Sequence, residues 1–162
     1  MSLLRCAAYY TLTGFMLFLF GRVIPERFLD PDKFPFRALP FEKDGEIYEK
    51  LSIKSWQSKL PDMSKVFTSF MPPKNITGHL DVATLQLMIK ETCVAELVHI
   101  ILMATGLGSF RFFKAKTAFI VYLIFVFINL PFIIIQRYNR PRLVHLLERY
   151  LERQACECGI TA

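Results

Sequence analysis

The chain has 162 residues, of which 53% are apolar and sixteen are phenylalanine, and its formal charge is +6. A soluble domain of this length has too little interior to bury so much apolar surface when it comes in unbroken runs. Composition therefore excludes an ordinary soluble domain and favours an integral membrane protein. Lysine and arginine beside membrane segments account for the charge, so no nucleic-acid partner is expected.

The first apolar run contains sixteen uncharged residues between Arg5 and Arg22. Both arginines can extend to the headgroups, so a span over about residues 3–24 is feasible. A cleaved secretory signal is the alternative, but no small-residue cleavage site follows the run. We interpret the run as an uncleaved membrane anchor.

A segment of mixed composition, residues 25–91, follows the first run. Its beginning is rich in proline and is predicted to be irregular, as a strip along the membrane surface. Between residues 45 and 70, apolar and aromatic residues alternate with lysines, a pattern typical of a helix lying in the interface. Asp81 is a suitable N-cap for a further helix that leads into the second run.

The second run is short, because only fourteen uncharged residues separate Glu96 from Arg111. Alone they are too few to cross a bilayer, whereas a span over residues 92–110 takes Glu96 and His99 into the membrane. The sequence therefore leaves two alternatives open: a short re-entrant helix, or a full span with ionisable residues inside it.

The third run, residues 117–136, has twenty uncharged residues and would measure about 30 Å as a helix, which matches the hydrocarbon core. The sequence Asn129-Leu130-Pro131 within it suggests a kink. The predicted fold is an all-α membrane protein in a single domain. It has three hydrophobic helices, the middle one short or re-entrant, an interfacial helical segment over residues 25–91 and a tail over residues 137–162.

The distribution of basic residues predicts the orientation. The tail from residue 137 contains five lysines and arginines, whereas the short loop at residues 111–116 contains three. Because cytoplasmic loops are enriched in these residues, the tail and residues 25–91 are predicted to be cytoplasmic, with the N-terminus outside a cell membrane.

Two groups of polar residues lie at that cytoplasmic boundary. Glu96 and His99 are about 60° apart on one helix face, with Glu91 on the other side of the histidine. A carboxylate so placed can orient an imidazole that takes a proton from a hydroxyl. The alternative is that the two side chains only satisfy each other, although ionisable residues inside a membrane favour function.

The second group consists of Arg137, Arg140 and Arg142. Three arginines within six residues can clamp phosphates bidentately, or they can be cytoplasmic anchors that obey the charge bias. Cys156 and Cys158 form a single close pair, and a structural zinc site needs four ligands, so no metal site is expected.

The stretch QRYNRPRL at residues 136–143 and the stretch at residues 91–99, which ends in Ala95-Glu96-Leu97-Val98-His99, resemble the glycosyl-4,4'-diaponeurosporenoate acyltransferase family. Its members are small bacterial membrane proteins of about this length that attach a fatty acyl chain to the sugar hydroxyl of a carotenoid glycoside. Cys93, Val94 and Ile100 replace a basic pair and a tryptophan of the family pattern, so a different glycolipid is an open alternative for the acceptor.

The resemblance implies a membrane acyltransferase that moves an acyl group from acyl-CoA, without a cofactor, to a lipid-soluble glycosylated acceptor. His99 is the implied general base, and Glu96 orients it. The implied substrate-binding residues are Arg137, Arg140 and Arg142 for the CoA phosphates, Asn139 for the thioester carbonyl, Glu91 beside the histidine, and Trp56, Lys59 and Asp62 for the sugar.

Two other functions are compatible with the same helices. A non-catalytic scaffold would bind anionic membrane lipids through the arginines and use Glu96 and His99 to pack its helices. A proton-coupled transporter fragment is disfavoured, because three spans form too little wall for a pathway. The sequence does not set the oligomeric state.

Overall fold

The computed structural model describes residues 2–60 and 81–157, and the structural statements below concern those residues. They form helices and irregular turns without a strand. The α-helices are α1 (Ser2–Val23), α2 (Glu46–Glu49), α3 (Ile53–Trp56), α4 (Val82–Thr105) and α5 (Ala115–Glu157). Short 3-10 helices lie at Glu26–Phe28, Pro40–Gly45, Gln57–Lys59 and Gly106–Arg111. The predicted all-α fold class is confirmed.

Three of these helices are long and apolar enough to cross a bilayer. By length and composition the candidate spans are Leu3–Val23, Val82–Arg111 and Ala115–Cys156. Their exposed surface is rich in leucine, isoleucine and phenylalanine, which is the composition of helices that contact lipid. The three predicted hydrophobic helices are confirmed, and the chain is a membrane protein.

Helix α4 begins well before the apolar run from which the second span was predicted. Asp81 caps it, because the carboxylate accepts a hydrogen bond from the backbone N–H of Thr84 at 2.8 Å. With the following 3-10 helix it has 30 residues, more than the roughly 20 that a crossing needs. Its length therefore favours a full span that contains Glu96 and His99.

Helix α5 has 43 residues and measures about 65 Å. It continues through Pro131 and Pro141 and beyond Gln136, where the predicted span ends. Because about 20 residues suffice to cross the hydrocarbon core, the C-terminal part of α5 extends out of the membrane. The three arginines therefore lie on the helix that crosses, not in a separate tail.

Helices α1 and α4 pack antiparallel. At one end the Tyr9 hydroxyl donates to the Thr105 carbonyl at 3.1 Å, and at the other end Arg22 and Glu91 form an ion pair at 3.0 Å. Gly21 allows the helices to approach closely, since an added Cβ would lie 2.8 Å from a valine methyl of α4.

Helices α4 and α5 are also antiparallel. The Ser109 hydroxyl donates to the Ala118 carbonyl at 3.0 Å near the turn between them, and Arg140 Nε donates to the Thr92 hydroxyl at 2.9 Å near the opposite end. This arrangement brings residues 92–99 of α4 beside residues 129–140 of α5.

The segment between α1 and α4 packs against the bundle at the end where α1 finishes. Leu29 and Phe36, from its proline-rich beginning, are buried with Cys93 of α4 in a small apolar core. This part is irregular, as predicted, and it packs against α4, while the predicted strip along the membrane surface stays a prediction. The segment therefore helps to form the site.

Helical turns follow in the region predicted as an interfacial helix. They are the short helices α2 and α3 and the 3-10 helix Gln57–Lys59, and residues 61–70 of the predicted element lie outside the described residues. Gly45 fixes the start of α2 against α5. It has a φ of +94°, and an added Cβ would be 3.3 Å from the Tyr138 carbonyl oxygen.

Candidate active site

Glu96 lies at the centre of a group of buried charges that we call the ionic cluster, formed by Glu42, Glu96, Arg137 and Arg140. Its side chain is 0% exposed. One carboxylate oxygen accepts a hydrogen bond from Arg137 Nη1 at 2.5 Å, and the other accepts from Arg140 Nη2. Two carboxylates and two guanidinium groups balance in charge, which is the condition for burying ions in an apolar bundle.

Arg137 joins the segment 24–49 to α4 and α5. Its Nε donates to one oxygen of Glu42 at 2.5 Å and its Nη2 donates to the other at 2.9 Å, a bidentate pair. Its Nη1 also donates to the Pro35 carbonyl at 3.1 Å. The guanidinium is therefore surrounded by acceptors that belong to the protein.

Arg140 is equally enclosed and only 3% exposed. In addition to Glu96, it donates to the Thr92 hydroxyl at 2.9 Å, the Thr92 carbonyl at 3.1 Å and the Phe36 carbonyl at 2.6 Å. Its guanidinium carbon lies 5.4 Å from the centre of the Phe36 ring. These contacts hold the proline-rich segment on the helix pair.

The phosphate-binding role predicted for Arg137 and Arg140 stays a prediction, and the structure shows the partners that both side chains already have. Their N–H groups donate to carboxylates and carbonyls of the protein, and both side chains are mostly buried. Arg142 differs, because its side chain is 47% exposed, paired with Glu49 and stacked 4.0 Å from the Tyr138 ring centre. Its predicted role stays a prediction.

The Glu42 carboxylate is ionised in the folded protein. Burial alone would raise its pKa, but hydrogen bonds from Arg137, the Tyr48 hydroxyl and the Leu39 backbone N–H outweigh that effect and lower the pKa below its ordinary value. Burial and the bond to Glu42 together raise the pKa of Tyr48, so the phenol stays protonated as a donor.

His99 lies on α4 three residues after Glu96, about 4.5 Å further into the bundle along the helix axis. Its Nδ1 is 2.9 Å from the Asn129 side-chain oxygen on α5. The ring stacks on Phe132, with 4.6 Å between centroids and an angle of 6° between planes. Unlike Glu96 it is only partly buried, so its surface can be reached from outside the bundle.

The structure shows which side chains hold the Glu96 carboxylate. Its two oxygens accept from Arg137 and Arg140, and His99 Nδ1 lies 2.9 Å from the Asn129 side-chain oxygen, so the predicted orientation of His99 by Glu96 stays a prediction. Two cations attract a buried carboxylate more strongly than an uncharged ring does. Glu96 therefore organises the cluster beneath the histidine.

A cleft of about 240 Å³ opens beside the ionic cluster, between the proline-rich segment and α5. Arg137 and Arg140 form part of its wall. Arg37 and His145 also line it and are exposed. Asp32 is a further charged lining residue, and His145 Nδ1 lies 3.1 Å from a carboxylate oxygen of Glu148. Since the charges of Arg137 and Arg140 are balanced within the cluster, Arg37 and the ring of His145 are the described lining groups that can donate to an anion.

The remaining predicted site residues that the structure describes lie on four different elements. Glu91 is paired with Arg22 of α1. The Trp56 indole donates to the Leu51 carbonyl of its own segment at 2.9 Å, and Lys59 is exposed at the end of the next turn. Asn139 is partly buried on α5, and Asp62 lies outside the described residues.

Sequence reasoning missed Glu42 and Asn129. Asn129 was visible as a polar residue within twenty uncharged ones, and polar side chains inside a membrane helix face other helices. The sequence analysis takes it together with Pro131, as part of a kink, and predicts no contact with His99. Nothing local singles out Glu42 among the acidic residues of the segment, because its partner Arg137 is 95 residues away.

Comparison with known proteins identifies the family. A family model described as glycosyl-4,4'-diaponeurosporenoate acyltransferase matches residues 25–149. The chain belongs to this family. Proteins of that name from Staphylococcus aureus strains MRSA252 and N315 are each 29% identical to it over 156 residues, which are 92% of this chain and 89% of theirs. No solved structure matches.

Membership of the glycosyl-4,4'-diaponeurosporenoate acyltransferase family decides between the predicted functions. The chain is an acyltransferase, as the resemblance implied, and the scaffold and transporter alternatives are set aside. Within the described residues, no group of three or more His, Cys, Asp or Glu is arranged to hold a metal ion.

Proposed function

We propose that this acyltransferase moves a fatty acyl group from acyl-CoA to a sugar hydroxyl of a lipid-soluble glycoside, with His99 as the general base. The observation that carries the proposal is the position of His99, which is held between α4 and α5 yet partly exposed, about one turn inside the ionic cluster. The curated relatives are named for a glycosylated substrate, glycosyl-4,4'-diaponeurosporenoate.

The proposed step needs one group that accepts and returns a proton. The sugar hydroxyl gives its proton to the imidazole as its oxygen attacks the thioester carbonyl carbon. An ester C–O bond forms, the C–S bond breaks, and the imidazolium returns the proton to the sulfur of CoA. A positioned histidine typically contributes about 10²–10⁴-fold to such a step.

The depth of His99 suits reactants that meet from two phases. The acyl chain and the hydrophobic part of the acceptor lie in lipid, whereas CoA is water-soluble. A base within a helical turn of the charged boundary can contact a thioester and a sugar at the level of the headgroups. A residue at the bilayer centre would require both polar groups to cross the hydrocarbon.

We assign the cleft beside the ionic cluster as the binding site for the CoA part of the acyl donor. CoA carries phosphates, and Arg37 at the cleft and Arg142 on α5 are exposed guanidinium side chains that can donate to them, with the ring of His145 beside them. In this proposal Asn139 still contacts the thioester carbonyl, and Trp56, Lys59 and Asp62 contact the sugar. The cleft faces the cytoplasm, with the N-terminus outside the cell membrane.

The test is an assay of purified protein in phospholipid nanodiscs with acyl-CoA and two acceptors, a glycosyl carotenoid acid and a glycosyl diacylglycerol. Mass spectrometry of the lipid products should show a sugar ester with one of them. His99→Gln should lower kcat about 10²–10⁴-fold, since an amide keeps hydrogen bonds but cannot take the proton. Product with neither acceptor would contradict the proposed reaction.

Ile101→Gln is the matched control for His99→Gln. Ile101 lies two residues further along α4 and, like His99, is partly buried, so the variant places the same amide at nearly the same depth. Its activity should stay within a few-fold of the parent protein. Full activity in His99→Gln would show that another group is the base.

A further inference from the structure

We propose that Asn129 is a positioning residue that fixes His99 in the tautomer with its proton on Nδ1. The inference rests on the proposed role of His99 and specifies which ring nitrogen acts as the base. It assigns a task to a side chain that neither the spacing of the sequence nor the predicted Glu96–His99 pair indicated. Three contacts along two turns of α5 carry it.

The first contact orients the amide. Asn129 Nδ2 donates to the Phe125 carbonyl at 2.8 Å, four residues earlier on the same helix. The flipped amide would place two carbonyl oxygens at that distance, with no hydrogen between them, and is disfavoured. The side-chain oxygen of Asn129 must therefore be the atom that faces His99.

The second contact selects the tautomer. The amide oxygen is only an acceptor, so His99 Nδ1, at 2.9 Å, must donate to it and carry a proton. In the neutral ring the lone pair is then on Nε2. Nε2 is the atom that would take the proton of the sugar hydroxyl, and the imidazolium so formed keeps its bond to Asn129.

The third contact fixes the plane of the ring. Phe132 follows Asn129 by three residues, on the same side of α5, and its ring lies 4.6 Å from that of His99 at an angle of 6°. If the ring rotated within its plane so that Nε2 faced Asn129, it would stay stacked on Phe132 but lose the Nδ1 bond. The stacking therefore fixes the plane of the ring, and the hydrogen bond to Asn129 fixes which nitrogen faces α5.

A neutral acceptor fits this place better than a carboxylate. In hydrolases with a catalytic triad a carboxylate holds the equivalent proton. Inside a membrane a further carboxylate would need another cation, and the nearby guanidinium groups of Arg137 and Arg140 are balanced by Glu42 and Glu96. An amide supplies the acceptor without adding charge to the cluster.

The test reads the tautomer directly. The full-length protein, labelled with nitrogen-15 histidine in nanodiscs, gives imidazole nitrogen shifts that distinguish Nδ1–H from Nε2–H. The chain has three histidines, and the signals of His99 are those lost in His99→Gln. We expect His99 to be in the Nδ1–H form in the parent protein and mainly in the Nε2–H form in Asn129→Leu.

Activity should follow the tautomer. Asn129→Leu should lower kcat about 10²-fold with little change in KM, as misplacement of a reacting group typically does. Asn129→Asp keeps an acceptor but adds a charge that has no further cation to balance it, so it should keep the Nδ1–H form with an activity between those of the parent protein and the leucine variant. Ser109→Ala, which removes another hydrogen bond between α4 and α5, is the control and should change neither readout.

The outcomes separate this inference from the proposed function. An Nε2–H form in the parent protein, or an unchanged tautomer in Asn129→Leu, would overturn the inference even if His99→Gln is inactive. A fully active His99→Gln would instead overturn the role of His99 as the base, and with it the catalytic consequence of the tautomer. Equal losses of kcat in Ser109→Ala and Asn129→Leu would show that Asn129 only connects α4 and α5.

Discussion

Glu96 and Arg140 show how ions are accommodated in a chain that is otherwise apolar. Each is almost fully buried. Glu96 is held by two arginines of α5, and Arg140 has Glu96, Thr92 and the Phe36 carbonyl as partners. Removing one member of such a group leaves an uncompensated charge, which typically costs about 3–5 kcal/mol, whereas exposed pairs contribute about 1 kcal/mol or less. The arginines of α5 therefore differ in energetic importance although they look equivalent in sequence.

Arg140→Met and Arg142→Met test this difference on one helix. The first leaves Glu96 with a single arginine and should destabilise the protein by about 3–5 kcal/mol. The second removes an exposed pair with Glu49 and should cost about 1 kcal/mol or less. Denaturant unfolding of both variants in detergent, followed by tryptophan fluorescence, gives the comparison. Equal losses of stability in the two variants would show that the ionic cluster is not the main polar contribution to the stability of the bundle.

The roles of single residues were only partly predictable. The sequence singled out His99, Glu96 and the arginines, because charged groups within or next to apolar runs stand out. It predicts partners from proximity along one helix, and it therefore pairs Glu96 with His99. The structure shows contacts across 41 and 95 residues, Glu96 to Arg137 and Glu42 to Arg137, which no local spacing encodes.

Among the elements, the segment 24–49 depends on the long helices for its structure. It contains short turns, and it is held by carbonyl groups that accept from Arg137 and Arg140 and by Gly45 against α5. Hydrophobic runs predicted the three long helices well. They underestimate the lengths of α4 and α5. An uncharged run ends at the first charged residue, whereas the helix continues wherever water or other side chains can pair with that charge.

Gly45→Ala tests the docking of this segment. Gly45 has a positive φ, and an added methyl carbon would lie only 3.3 Å from the Tyr138 carbonyl oxygen, so the variant should lose more than about 1 kcal/mol of stability. Gly14→Ala is the matched control. Gly14 lies within α1 with open space around it, and alanine there should be neutral or stabilising by up to about 1 kcal/mol. Thermal unfolding in detergent measures both, and an unaffected Gly45→Ala would show that the segment is not held at this point.

At the scale of the whole molecule, the antiparallel order of α1, α4 and α5 separates two ends. The ionic cluster, the cleft and the segment 24–49 are at one end, and the turn at residues 111–115 is at the other. The polar site is thus confined to one face of the membrane, with His99 just inside it. A donor from the cytoplasm can reach this site only if that end is cytoplasmic.

Cysteine accessibility decides the orientation, which was predicted from the distribution of lysine and arginine. In a background without Cys156 and Cys158, Lys114→Cys should react with an impermeant maleimide from outside, and Lys50→Cys and Arg149→Cys only after the membrane is opened. Arg149 is twelve residues beyond Arg137, about 18 Å along α5, so it should be well exposed to water. Reaction of positions 114 and 149 from the same side would show that α5 does not cross. Reaction of positions 50 and 149 from outside, with position 114 protected, would show the opposite orientation. The cleft would then face away from cytoplasmic acyl-CoA, and the proposed donor would have to change even if His99 remained the base.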